Sequence, residues 1–200
     1  EVLLEAYNLG LRYPESDTWL FQKLKLELRK GERVFLHGAN GCGKSTLIKA
    51  VLKTAGYGKG AADHFWNLQE QGRLTLASGL VISYVSQDTS YLNGSICKFC
   101  EERGLEESLF CAILRQMGVG REQFAKELQE YSEGQKKKIQ IAESLLTPAN
   151  LYLWDEPLNY VDVFTRMQIE EVLLRYEPSM LIVEHDARFQ ERIATKIVEL

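Results

Sequence analysis

Residues 33–53 read RVFLHGANGCGKSTLIKAVLK, and this stretch decides the fold. Arg33 to His37 is an apolar run of strand length and Ser45 to Lys53 is a helical run. Between them Gly38-Ala39-Asn40-Gly41-Cys42-Gly43-Lys44-Ser45-Thr46 fits G-x-x-x-x-G-K-S/T. The glycines let backbone N–H groups wrap an anion where the following helix presents its positive end. In such a loop Lys44 reaches the outer phosphates and the Ser45 hydroxyl binds magnesium. The stretch predicts a phosphate-binding strand–loop–helix unit.

A second stretch, Tyr131 to Asp162, complements the first with YSEGQKKK, then LYLWDEP, then LNYVD. Leu151 to Trp154 reads as a buried strand that ends in Asp155 and Glu156. Parallel sheets bury their strands on both faces and bind ligands beyond the carboxyl ends. Adjacent acids at that edge suit a magnesium ligand and a water-activating base. Ser132-Glu133-Gly134 is a turn opening a helix, again favourable to an anion. The two stretches together predict a nucleoside triphosphatase.

Two hundred residues with 45% hydrophobic and 26% charged content make one ordinary α/β domain with an ample core. No apolar run approaches the roughly 20 residues that span a bilayer, and no signal peptide opens the chain. The expected location is cytoplasmic, with any membrane partner on another chain. A net charge of −4 offers no electrostatic case for nucleic-acid binding. Cys42, Cys97, Cys100 and Cys111 suit a reducing compartment. Cys97 and Cys100 lack a second ligand pair, and their neighbours Ile96 and Phe99 read as helix packing. The chain starts without Met and stops in a strand pattern, Lys196 to Leu200, so a domain cut from a longer protein is expected.

Around these stretches strands and helices alternate. Val2 to Tyr13 reads as one or two strands, and Leu24, Leu26 and Leu28 as a half-exposed strand. Gly56 to Gly72 reads as an irregular surface excursion. Leu80 to Val85 reads as a strand leading to Gln87, Gly94 to Leu128 as helical, and Gln135 to Leu146 as a helix. A helix over Val163 to Tyr176, a strand over Met180 to Val183 and a helix over Ala187 to Ala194 complete the pattern. The expected fold is a mainly parallel sheet flanked by helices, with an antiparallel β edge.

The order of these motifs resembles that of an ATP-binding cassette (ABC) domain, and nearly the whole chain takes part. The resemblance implies a P-loop NTPase with a core over residues 1–87 and 135–200 and a small helical subdomain over about 94–134. Tyr13 resembles the aromatic that stacks on adenine, and Gln87 in YVSQD the loop glutamine at the magnesium site. YSEGQ resembles the signature LSGGQ. Asp155 and Glu156 resemble the magnesium-binding acid and the catalytic base, Asp162 closes the D-loop, and His185 in VEHD resembles the switch histidine. The implied site is therefore catalytic Glu156, His185 and Gln87, with Ser45, Gln87 and Asp155 around the metal. ATP is held by Tyr13, Gly38, Asn40, Gly41, Cys42, Gly43, Lys44, Ser45 and Thr46. The family's head-to-tail sandwich implies that Ser132, Gly134 and Gln135 serve the nucleotide of a second cassette, in the same longer chain or in a homodimer.

EPLNYVD and SEGQKKK resemble the ABC-F proteins, cassettes without transmembrane domains, and above all their antibiotic-resistance group. With YVSQDTSYLNGS they look like the second cassette of such a ribosomal protection protein. The implied partner is the ribosome, reached through regions outside this chain; the alternative is the cytoplasmic ATPase subunit of a transporter. Two departures stand out. Glu133 replaces the first signature glycine, which predicts repulsion of a γ-phosphate and weaker binding at that half-site unless the side chain turns away. Cys42 sits where cassettes often carry Ser, which predicts a reactive thiol at a helix N-terminus. Lys136, Lys137 and Lys138 read as the solvated face of the signature helix rather than an RNA patch. Tyr7 and Trp19 compete with Tyr13 for the adenine role, and His37 and His64 read as structural.

Overall fold

The structure is a computed structural model and describes residues 1–57 and 67–200. Its centre is a five-stranded sheet in the order β5 (Ile82–Val85), β6 (Leu151–Asp155), β7 (Met180–Val183), β3 (Arg33–His37) and β8 (Lys196–Glu199). Every pairing in it is parallel, with Trp154 beside Ile182, Ile182 beside Phe35, and Asp155 beside Val183. This register brings the carboxyl ends of β3, β5, β6 and β7 to one edge, where the chain leaves through loops.

Side chains alternate across a strand, and both faces of this sheet are covered. Phe35, Trp154, Met180 and Ile182 point into one core with Ile139, Ile169 and Phe189. Val34, Leu36, Leu153, Leu181 and Val183 point into the other, against Leu47, Ile48 and Val51 of α1 (Lys44–Thr54). Burial on both faces explains why these strands read as continuous apolar runs.

The antiparallel part is a separate three-stranded sheet rather than an edge of the parallel one, in the order β2 (Phe21–Arg29), β1 (Val2–Arg12) and β4 (Gln69–Leu76). The segment read as one or two strands over Val2 to Tyr13 thus forms one strand, which ends at Arg12. Residues 58–66, including His64 and most of the expected excursion, lie outside the described residues. The rest of that excursion needs correction, because residues 69–72 begin strand β4. Residues 69–73 of QEQGRLTL are exposed and polar, and only Leu74 and Leu76 at its far end pack against the core. It is a strand because its backbone pairs with β1, Glu70 with Leu11 and Arg73 with Tyr7. Gly72, at φ +84°, sits against the Asn8 carbonyl where the register shifts, and no Cβ would fit there.

The segment after β5 holds α2 (Ile96–Arg103), α3 (Glu107–Gln116) and two 3-10 turns. Ile96, Phe99 and Cys100 are buried there. The signature helix α4 spans Glu133–Leu146 and begins two residues earlier than its apolar pattern. Its start is set by Ser132, whose Oγ accepts from Gln135 N while Gln135 Oε1 accepts from Ser132 N, a capping box. Asp162 caps α5 (Val163–Tyr176) and Asp186 caps α6 (Ala187–Ile193).

Candidate nucleotide and metal site

Four loops leave the same sheet edge, after β3, β5, β6 and β7, and between them they carry most of the residues expected at the site. The loop after β3 turns through Gly38 (φ +148°), Gly41 (φ +79°) and Gly43 (φ +106°) into α1. Only glycine adopts such angles without strain. A Cβ on Gly43 would meet Phe21 and Leu20 of the antiparallel sheet, so the loop lies close against that layer. Lys44 is buried, and its ammonium donates to the carbonyls of Gly38 and Ala39 at 2.8 Å each. Cys42 is half-buried, with Sγ 3.9 Å from that ammonium.

Ser45 Oγ donates to Asp155 Oδ1 at 3.1 Å. Asp155 is 1% exposed. Burial pushes its carboxyl up to about 6; the Ser45 bond opposes this and the neighbouring Glu156 adds to it. A dehydrated carboxylate beside a hydroxyl is an oxygen-only donor pair, the chemistry that a hard divalent cation such as magnesium takes. The residues therefore fit the ion, with Ser45 and Asp155 as the holders and the Gln87 loop at the same edge.

Glu156 follows in a left-handed conformation, φ 50°. That geometry costs a non-glycine residue about 1–2 kcal/mol. The backbone bond from Glu156 N to Val183 O holds it, at 2.8 Å. Its carboxylate reaches the loop after β7. There Glu156 Oε1 lies 3.5 Å from His185 Nε2, and Glu156 Oε2 accepts from Asn159 Nδ2 at 2.7 Å. The carboxylate and the imidazole are thus a facing pair, which suits proton acceptance beside a phosphate contact.

Tyr13 is the aromatic that reaches the phosphate loop, with its hydroxyl 3.0 Å from Thr46 Oγ1. Its two competitors are engaged elsewhere: Lys25 lies over Tyr7 and Arg12 over Trp19. Gln87 is exposed, and its carbonyl accepts from Lys137. Ser132, Gly134 and Gln135 lie at the N-terminus of α4. Gly134 packs against the Tyr160 carbonyl so tightly that a Cβ would collide with it.

One expectation needs correction. The lysine run is not a solvated face. Lys137 is 2% exposed and donates to the Ser86 and Gln87 carbonyls. Lys138 bonds the Met117 carbonyl and Asp162, and Lys136 bonds Glu133. A charge run says nothing about which of its members the helix turns inward. Glu133 stays exposed, but its side chain bends toward the loop after β5, Oε2 accepting from the Thr89 hydroxyl at 2.7 Å. His37, read as structural, pairs with Glu199 at 2.8 Å on the surface.

Sequence reasoning also missed Glu184 and Arg166. Buried Glu184 accepts from the backbone N–H groups of Leu158, His185 and Asp186, so it ties the D-loop to the switch loop. Arg166 does the same from α5, bonding Asp186 at 2.6 Å and the carbonyls of Leu158 and Val161. Adjacency to His185 was the available signal for Glu184.

The family profile described as ABC transporter matches residues 21–159, the phosphate loop, Asp155 and Glu156 included. The chain belongs to the ABC transporter family, as an ATP-binding domain. The ATP-binding protein Uup of Buchnera aphidicola is 30% identical over 177 residues, 84% of this chain and 28% of Uup. The Bacillus subtilis protein described as uncharacterized ABC transporter ATP-binding protein YfmR is 27% identical over 242 residues, 99% of this chain and 36% of YfmR. ABC transporter F family member 5 of Arabidopsis thaliana is 25% identical over 190 residues, 92% of this chain and 26% of that protein. The chain thus spans well under half the length of these curated relatives. A solved structure described as the ATP binding subunit of an ABC transporter matches with TM-score 0.76 and 21% identity, covering 99% of this chain and 85% of that one. The match extends the common fold across this ABC domain, including the antiparallel sheet that lies before residue 21 in part. Among the described residues no helix is long and apolar enough to cross a membrane.

Proposed function

We propose that this ABC domain hydrolyses magnesium-bound ATP in a head-to-tail sandwich with a second cassette. The facing of Glu156 and His185 at the edge that holds Lys44, Ser45 and Asp155 carries the reading. In it, Lys44 and the backbone of Gly38 to Gly43 bind the β- and γ-phosphates of the substrate. Tyr13 lies against the adenine. Magnesium, held by Ser45, Asp155 and Gln87, neutralises phosphate charge when bound. Glu156 accepts the proton of the attacking water at its carboxylate, fixed by Asn159, while His185 contacts the γ-phosphate. Ser132, Gly134 and Gln135 act on the partner cassette's nucleotide. ATP favours closure because it touches both surfaces, and loss of the γ-phosphate contacts releases it.

Within the family, the ABC-F type is the reading that EPLNYVD and SEGQKKK support, in company with the F family relative. On it, closure drives ribosome binding and displacement of an antibiotic by a longer, two-cassette protein in which these 200 residues are the second cassette. Phosphate release by that intact protein, with and without purified ribosomes, tests both levels. Hydrolysis stimulated by ribosomes and ATP-dependent cosedimentation are expected. Hydrolysis with no ribosome binding, together with capture of membrane-spanning partners, would move the assignment to a transporter subunit.

A further inference from the structure

One face of α4 carries Glu133, Lys137, Gln140 and Ser144, whose spacing stacks them along a single side of the helix. All four bond the segment that runs from β5 into the Gln87 loop. Ser144 Oγ meets Ser83 Oγ at 2.7 Å. Gln140 Nε2 donates to the Asp88 carbonyl at 2.9 Å and to the Tyr91 hydroxyl at 3.2 Å. Lys137 Nζ donates to the carbonyls of Ser86 at 2.6 Å and Gln87 at 3.3 Å. The Thr89 hydroxyl closes the row at Glu133. Lys137 and Gln140 are 2% and 1% exposed, so these bonds are shielded from water.

We propose that Lys137, flanked by Glu133 and Gln140, is a positioning residue that locks the Gln87 loop to the signature helix, so that the two move as one body. A buried ammonium is costly unless hydrogen-bonded. The two loop carbonyls satisfy it here, and shifting the loop off the helix would strand the charge. Glu133 then has a role of its own. The residue that replaces a signature glycine is a rung to Thr89, with its carboxylate drawn toward the loop. The consequence rests on the reading given under Proposed function. The helix whose first turn meets the partner's nucleotide also carries Gln87 of this domain's own site, so closure on one nucleotide re-places a ligand of the other.

The test compares Lys137→Met, Lys137→Arg and Glu133→Gly in the full chain by amide hydrogen exchange and by ATP hydrolysis. In Lys137→Met, exchange over residues 86–91 is expected to quicken by about ten- to a hundredfold, the loss of charge-assisted bonds, with residues 139–146 still protected. The same variant lowers kcat while KM for ATP stays unchanged, and Lys137→Arg recovers most of both. Glu133→Gly, a change at an exposed position, quickens exchange less and only over residues 88–91. Unchanged exchange over residues 86–91 in Lys137→Met overturns the lock. Protection lost through residues 139–146 as well overturns it too, since Lys137 would then serve the helix alone. If the unaltered protein hydrolyses no ATP, the reading of the site fails, and the exchange result still decides the lock.

Discussion

Ser45 Oγ and Asp155 Oδ1 stand 3.1 Å apart although 110 positions separate the residues in the chain. The contact exists because β3 and β6 both pair with β7 in parallel, which levels their carboxyl ends. The hydroxyl at the start of α1 and the acid at the end of β6 then meet over the sheet edge. Asp155, fully buried, accepts this bond from a neutral donor, and its raised proton affinity follows from that imbalance.

A pH dependence follows. Without divalent ions the folded domain holds the Asp155 proton up to about pH 6, whereas an unfolded aspartate releases it near pH 4. The folded state therefore binds more protons between these values, and unfolding free energy falls as pH rises through that window. The loss amounts to at most about 3 kcal/mol. Asp155→Asn should remove this slope, so the difference between variant and parent in urea titrations at pH 4 to 7 measures it. A parallel pH profile in the two proteins would contradict the assignment.

Glu156→Gln should leave ATP binding intact and lower the hydrolysis rate by about 10²–10⁴, or roughly 3–5 kcal/mol of barrier. Single-turnover hydrolysis by the intact protein gives the number. A loss under about threefold, smaller than removing a general base allows, would make Glu156 an orienting group only.

Asp162 caps α5 through Thr165 N and also pairs with Lys138 at 2.7 Å. Burial raises its proton affinity, but the Lys138 bond and two bonds from Thr165 outweigh it and hold the carboxyl below the usual range. Its contribution is present above the ordinary aspartate range and is lost as pH falls. Asp162→Ala should cost about 0.5–2 kcal/mol for the cap alone. Asp162→Asn keeps a cap and should cost less. Equal losses in thermal unfolding at neutral pH would assign the whole effect to the Lys138 pair.

Trp154 is wholly buried, and its indole N–H donates to Ser144 Oγ at 2.9 Å. Trp154→Ala is expected to cost about 3–5 kcal/mol through the cavity. Trp154→Phe should cost about 1–3 kcal/mol, because Ser144 loses a buried donor. Denaturant midpoints read both. A Phe variant as stable as the parent would show that Ser83 alone satisfies Ser144.

The phosphate loop, the paired acids, the sheet strands and most helix boundaries were legible in the sequence. Each is a local matter: glycine where φ is positive, an apolar run where both faces are buried, a polar cap where a helix starts. Strand β4 was not legible, because an exposed QEQGR segment is a strand only through its bonds to β1. The lysine run was misread for a related reason. Its composition is that of a surface, while helix phase and the nearby Ser86 and Gln87 carbonyls draw Lys137 inside.

The sequence by itself determined which chemical groups this domain possesses and which strand or helix end carries each. Tertiary structure alone decided which of them meet: Ser45 with Asp155, Glu156 with His185, Glu133 with Thr89. Local propensity acts over a few residues. These pairs instead depend on parallel strand register and on one helix face, which only packing of the whole sheet against α4 can set.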